Sequence, residues 1–160
     1  SGIGVVQGVN FNSVGQVVIA GNKAAVEKAS EVLKAKGARK VMSLPVSVPS
    51  HCDLMKPAAE KLALELNSVK FNPAKIPLIQ NVNGEIASDI HAIKEGLVKQ
   101  LYSPVLWTKS VATLAQNDVM TIVECGPGKV LSGLNKRIHE SAKLFNLNSA
   151  ESMTALQASL

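Results

Sequence analysis

Apolar positions repeat along this chain with two different periods. IGVVQGV (3–9) and QVVIAG (16–21) are short runs rich in β-branched residues, separated by the turn-prone NFNSVG, and they predict two strands. Asn22 stands where an N-cap belongs, ahead of Val26, Ala29 and Leu33 recurring on one helical face. Gly37 is placed to end that helix in a left-handed conformation. ARKVMSLPV (38–46) then returns as a strand. A ββαβ run with such short connections predicts a small two-layer α/β unit over residues 1–47, ferredoxin-like if one more strand and helix preceded it.

From residue 48 to 160 the pattern changes to longer alternations. An amphipathic helix is predicted over 53–66, carrying Leu54, Ala58, Leu62 and Leu66, with Pro57 in or near its first turn. IPLIQNV (76–82) reads as a continuous apolar strand of the kind buried in parallel sheets. A second helix follows over 88–101. Ser103 and Pro104 supply a cap and a first-turn proline for a third, reaching about Gln116. VMTIVEC (119–125) reads as a buried strand running into GPGK and a helix bearing Val130, Leu131, Leu134 and Ile138. KLFNLN and a short C-terminal helix close the chain, so this portion is expected to be part of a layered α/β sheet.

Composition narrows the function classes. Of the 160 residues 46% are hydrophobic and only 3% aromatic, so aliphatic side chains must build the core. No apolar run approaches the ~20 residues that span a bilayer, and SGIGVVQGVNF has neither a charged leader nor a long apolar segment, so no membrane association and no signal peptide are expected. Two cysteines make no disulfide framework, which predicts a reducing, cytoplasmic setting. Neither is in a CxxC pair, so a structural metal is not expected. The net charge of +5 permits an acidic partner, but the lysines are scattered and few aromatics could stack on bases, so no nucleic acid partner is expected.

The chemistry centres on VSVPSHCDLM (46–55). Ser50 or Asp53 could cap the following helix and set the His51 imidazole beside its N-terminus, where partial positive charge disfavours imidazolium and keeps the ring able to accept a proton. A polar residue at a surface turn is the competing reading. Cys52 cannot pair productively with an adjacent histidine and reads as a small buried residue; His91 and His139 read as solvated or capping side chains. GPGK lacks the Walker spacing, yet Gly126 and Gly128 allow a tight strand-to-helix turn, either purely structural or lining a cleft. Asn10 and Asn12 read locally as turn formers, Gln100 as an exposed helix-terminal residue and Trp107 as packing. No GxSxG elbow occurs, so a histidine base lacks something to activate.

VNFNSVGQVVIAG, LPVSVPSHCDLMKPAAEKLA, VKQLYSPVLWTKSV and ECGPGKVLSGLNKRI together resemble the C-terminal half of the malonyl-CoA:acyl carrier protein transacylases, in the right order and over essentially the whole chain. The resemblance implies a partial hydrolase-like α/β core over 48–160 and an incomplete ferredoxin-like subdomain over 1–47. It implies transfer of a malonyl group through an acyl-serine to the phosphopantetheine thiol of acyl carrier protein, for fatty acid biosynthesis. By resemblance His51 takes the serine proton, and the Gln100 main-chain carbonyl orients the imidazole. Asn10 and Asn12 match a pair at the cleft edge, Gly126, Pro127 and Gly128 match a turn bordering the site, and Ser50 falls where extender-unit choice varies. Malonyl-CoA and acyl carrier protein are the implied partners, with CoA and phosphopantetheine thioesters as substrates and no permanently bound cofactor.

The region that carries the family's serine, oxyanion hole and malonate-binding arginine does not match any part of this chain, so these residues alone are expected to be inactive and to need that N-terminal part. Val14 stands where proline is common and Cys125 where an aliphatic residue is common, both expected to be packing changes. Two rival readings are an acyltransferase domain of a polyketide or multifunctional fatty acid synthase, and a non-catalytic carrier-protein-binding module.

Overall fold

The computed structural model describes residues 2–159; the outer ends of the two expected units, Ser1 and Leu160, lie outside the described residues. The architecture is α/β, built from two separate two-stranded sheets and six helices among the described residues.

β1 (Val6–Ser13) and β2 (Gln16–Gly21) pair antiparallel, with register shifts between Gly8 and Asn10 and between Phe11 and Ser13. Val14, in the connecting turn, is 95% exposed, and Cys125 is exposed as well. Neither substitution is therefore the expected packing change, because neither side chain has a core to fill. α1 (Lys23–Ala35) follows Asn22, which occupies the N-cap position without a side-chain cap bond. Its Oδ1 instead accepts the Val5 N–H at 2.8 Å, tying the helix entry to the strand before it. The helix ends as predicted: Gly37 takes φ +90°, Ala38 N–H donates to Leu33 O and Gly37 N–H to Lys34 O, each at 3.0 Å. That pair of bonds is the Schellman closure.

Two predicted strands do not form. Residues 38–46 are irregular, with bends at Arg39 and Pro45 and the Val46 N–H donating to Leu44 O at 2.8 Å, and Met42 is 62% and Val46 68% exposed. Residues 76–82 contribute only an isolated Ile79–Ile86 bridge, and Ile76 is 78% exposed. A strand exists only with a neighbour to share its N–H and C=O groups along its length. Among the described residues 38–46 pair with no strand, and 76–82 meet only residues 85–87, through Gln80 N–H to Glu85 O and Ala87 N–H to Leu78 O. The accessible surface agrees: 10919 Å², against about 7,600 Å² for a compact chain of 16.8 kDa.

Residues 53–66 also differ from expectation. A 3₁₀ turn (Asp53–Met55) comes first and α2 runs Lys56–Ser68, with Pro57 in its first turn as predicted. α3 (Ile90–Lys99) is capped by Asp89, whose side chain accepts the Ala92 N–H at 2.8 Å. α4 (Trp107–Gln116) starts three residues beyond Pro104, because Val105 is used otherwise. Its N–H donates to Val9 O and its carbonyl accepts from Phe11 N–H, both at 2.9 Å, which docks β1 on the segment after α3.

β3 (Thr121–Cys125), α5 (Val130–Ile138) and β4 (Lys143–Leu147) form a βαβ unit with parallel strands, and α6 (Ala150–Gln157) closes the chain behind a Ser149–Ser152 capping box. β3 is half-buried rather than buried, since β4 is its one strand neighbour among the described residues. Val9 of β1, Val111 of α4 and Asn135 of α5 are fully buried, and these three elements pack together. Among the described residues no helix is long and apolar enough to cross a membrane.

Candidate active site

His51 sits in the turn that leads into the 3₁₀ turn, with φ +64°. A left-handed conformation costs a residue with a β-carbon about 1–2 kcal/mol, so something must hold it. The Leu101 carbonyl accepts the His51 N–H at 2.9 Å, and the Gln100 carbonyl lies 2.6 Å from the ring Nδ1. Two consecutive carbonyls at the end of α3 thus fix both the backbone and the ring. A carbonyl only accepts, so Nδ1 carries the proton, and in the neutral ring Nε2 presents its lone pair. Cys52 turns inward and is 0% exposed, as predicted for a small buried residue.

The expected capping by Ser50 or Asp53 is absent. The residues at the cap positions are Cys52 and Met55, without side-chain cap bonds. Ser50 is exposed, and its N–H donates to Val48 O at 2.9 Å. Asp53 is engaged elsewhere: Gln7 Oε1 accepts its N–H at 2.7 Å, Gln7 Nε2 donates to its Oδ2 at 3.0 Å, and Lys56 Nζ lies 2.9 Å from its Oδ1. The Lys56 ammonium, with help from Gln7, holds the Asp53 carboxyl below its ordinary pKa. α2 therefore begins five residues past His51, and carbonyl hydrogen bonding rather than a helix N-terminus controls the ring.

Asn10 and Asn12 lie on β1, not in a turn, both half-buried. Asn10 bridges to Val105 in parallel, which sets β1 beside the chain that leaves Gln100. Gly126, Pro127 and Gly128 connect β3 to α5. Gly126 takes φ +156°, its N–H donates to Leu147 O at 3.3 Å, and the Asn146 amide donates to Gly128 O. Among the described residues no hydrogen bond joins this turn to residues 50–53. It is held through α5, which packs on β1 and α4. The N–H groups opening α5 are already occupied: Glu124 accepts from Leu131 N–H at 3.1 Å, Ser132 N–H at 2.7 Å and Ser132 Oγ at 2.6 Å. The turn is no phosphate cradle, because the protein supplies its own anion there. The Ser132 hydroxyl chiefly, then these N–H groups, hold the Glu124 carboxyl below its ordinary range.

Gln7, Glu124 and the buried Asn135, which accepts from Trp107 Nε1 at 2.9 Å, escaped the sequence reading. The partners of Gln7 and Asn135 lie 46 and 28 residues away, too far for any periodicity to reveal, and those of Glu124 lie across a strand-to-helix turn. His91 is exposed, and His139 occupies the C-cap position of α5 with Nε2 3.2 Å from Val119 O, both as expected.

Residues 3–157 match the acyl transferase domain family. The chain belongs to that family. Among curated relatives, the malonyl CoA-acyl carrier protein transacylase of Escherichia coli K12 is 53% identical over 151 residues, 94% of this chain and 49% of that protein. The crystal structure of malonyl-CoA:acyl carrier protein transacylase from Xanthomonas oryzae superimposes with a TM-score of 0.95 at 43% identity, covering 99% of this chain and 51% of that one. A malonyl-transacylase solved in complex with its type II polyketide synthase acyl-carrier protein gives 0.93 at 47% identity, covering 97% and 50%. This acyl transferase chain spans about half the length of the curated relatives it matches.

Proposed function

We propose that this chain is the histidine-bearing portion of a malonyl-CoA:acyl carrier protein transacylase, serving fatty acid biosynthesis in a cytoplasmic setting. The 2.6 Å approach of His51 Nδ1 to the Gln100 carbonyl carries the reading. A serine from outside these residues attacks the malonyl thioester carbonyl while Nε2 takes its proton. The carbon–sulfur bond breaks, and the departing CoA sulfur receives that proton. In the second half, Nε2 takes the proton of the phosphopantetheine thiol as its sulfur attacks the malonyl-serine ester, and returns it to the serine oxygen. One proton shuttles in each direction, which suits a ring held in a single tautomer. The backbone acceptor orients it without adding a buried negative charge.

Asn10, Asn12 and the 126–128 turn border the cleft in this reading, with Ser50 at the acyl pocket. Residues 48–160 form part of a hydrolase-like core, and 1–47 part of a ferredoxin-like subdomain. The serine-bearing portion supplies strand neighbours for 38–46 and 76–82, which accounts for the excess surface and the exposed Met42, Val46 and Ile76. No cofactor is required. The likeness to a transacylase that serves a polyketide carrier protein favours a second reading, in which the recipient carrier belongs to a polyketide synthase.

Intact-mass analysis after incubation with labelled malonyl-CoA tests the assignment. The chain alone should gain no mass, whereas a serine-bearing complement mixed with it should gain one malonyl group and lose it to holo acyl carrier protein. A complement that turns over equally well with a His51→Ala chain would overturn the proposal.

A further inference from the structure

Proton transfer at His51 engages the imidazole and the Gln100 carbonyl, and Gln7 touches neither. Gln7 lies on β1, 46 residues from the turn it contacts. Its amide makes two bonds to one residue: Oε1 accepts the Asp53 N–H at 2.7 Å, and Nε2 donates to Asp53 Oδ2 at 3.0 Å. We infer that Gln7 is a positioning residue for His51, clamping the downstream end of the turn so that the ring stays on the Gln100 carbonyl; this rests on His51 being the proton carrier.

The turn needs holding at both ends. Upstream, Leu101 O and Gln100 O take the His51 N–H and Nδ1. Downstream, the only residue between His51 and the clamp is Cys52, whose side chain is fully buried and offers one way to face. A left-handed residue reverts readily to the ordinary right-handed or extended regions if an end is released, and that rotation swings the ring away from its acceptor. β1 is itself anchored, through Val9 and Phe11 to Val105. Gln7 and Gln100 therefore reach His51 from two segments that are bonded to each other, and the loop closes on itself.

The chemistry of the contact demands glutamine. An amide offers one acceptor and one donor, matching the N–H and carboxylate that Asp53 presents. Glutamate keeps the acceptor but sets a carboxylate against the Asp53 carboxylate. Methionine, of similar length, offers neither bond.

Long-range ¹H–¹⁵N spectra of the full chain labelled with ¹⁵N-histidine, recorded at about pH 8.5 where an ordinary imidazole is neutral, test this directly. The parent should show His51 as a single Nδ1–H tautomer. In Gln7→Glu that signature should be lost towards the mixed pattern of a free imidazole, while His91 and His139 stay unchanged. In Gln7→Glu/Asp53→Asn it should return, because the new amide donates to the new carboxylate. Gln7→Met, which adds no charge, should repeat the loss and carries the same reading if the glutamate variant fails to fold. A His51 tautomer unchanged in both single variants, with only the melting temperature lowered, would overturn the inference and leave Gln7 as a structural tie. A parent His51 without the Nδ1–H signature would instead overturn the proton-carrier reading.

Discussion

Nδ1 of His51 and the main-chain oxygen of Gln100 are 2.6 Å apart, bridging residues 49 positions distant in the chain. The acceptor is backbone, so the identity of the Gln100 side chain does not enter the contact. In the assembled transferase, His51→Ala should lower kcat for malonyl transfer by about 10²–10⁴, the usual worth of a positioned general base. Gln100→Ala should leave it essentially unchanged. Steady-state transfer to holo acyl carrier protein compares the two, and equal losses would show that the side chain rather than the carbonyl matters.

Gly96 of α3 faces Gln80 so closely that an added β-carbon would lie 2.1 Å from Gln80 Oε1. Gln80 Nε2 now donates to Ala92 O at 2.8 Å. Gly96→Ala gains ~1 kcal/mol of helix propensity but strands a half-buried amide at a cost of about 1–3 kcal/mol. Net destabilisation of up to about 2 kcal/mol is expected from these opposing terms. The double variant Gly96→Ala/Gln80→Ala should recover most of it in urea unfolding; additive losses would contradict the contact.

Trp107 Nε1 donates to Asn135 Oδ1 at 2.9 Å, and Asn135 is 2% exposed. Trp107→Phe removes the donor and leaves a buried carbonyl unpaired, which should cost about 1–3 kcal/mol. Asn135→Leu in the same background removes the orphan and should restore part of the loss, again by urea unfolding.

Glu124 accepts three hydrogen bonds at the start of α5, the Ser132 hydroxyl foremost, so its folded pKa lies below the ordinary 4.5. A depressed carboxyl stabilises the fold fully above its unfolded pKa, and that contribution disappears as pH falls through the folded value. The melting temperature should therefore drop as pH is lowered below 4.5. Glu124→Gln should melt lower at neutral pH and show a smaller acid-dependent drop. Parallel acid profiles for the two proteins would contradict the assignment.

Residues 38–46 and 76–82 carry strand-like patterns but form no continuous strand among the described residues, 76–82 making only the Ile79–Ile86 bridge. Their amides should exchange with deuterium rapidly in the chain alone and become protected when the serine-bearing complement is added. Exchange left unprotected in an active mixture would mean that the complement docks elsewhere.

How legible the molecule was depended on how local each feature is. The end of α1 could be read because Gly37, Leu33 and Lys34 close the helix within one turn. Helices α3 and α5 followed their apolar spacing for the same reason. The start of α4 could not be read from Ser103 and Pro104, since Val105 was claimed by β1. Nor could the start of α2, where Asp53, which looked like a cap, is held by Gln7. For the site, resemblance to known transacylases singled out His51 and Gln100, which the fold brings together. The expected helix-terminus control of the ring gave way to a carbonyl acceptor.

By itself the amino-acid order determined the α/β alternation, most helix positions and the residue types able to move a proton, because propensity and amphipathic spacing act within a few residues. Only tertiary structure decided which strands exist, which tautomer His51 adopts and what grips Asp53. The tautomer and the grip on Asp53 rest on hydrogen-bond partners 49 and 46 residues away. A donor or acceptor has no local signature of the group that will meet it.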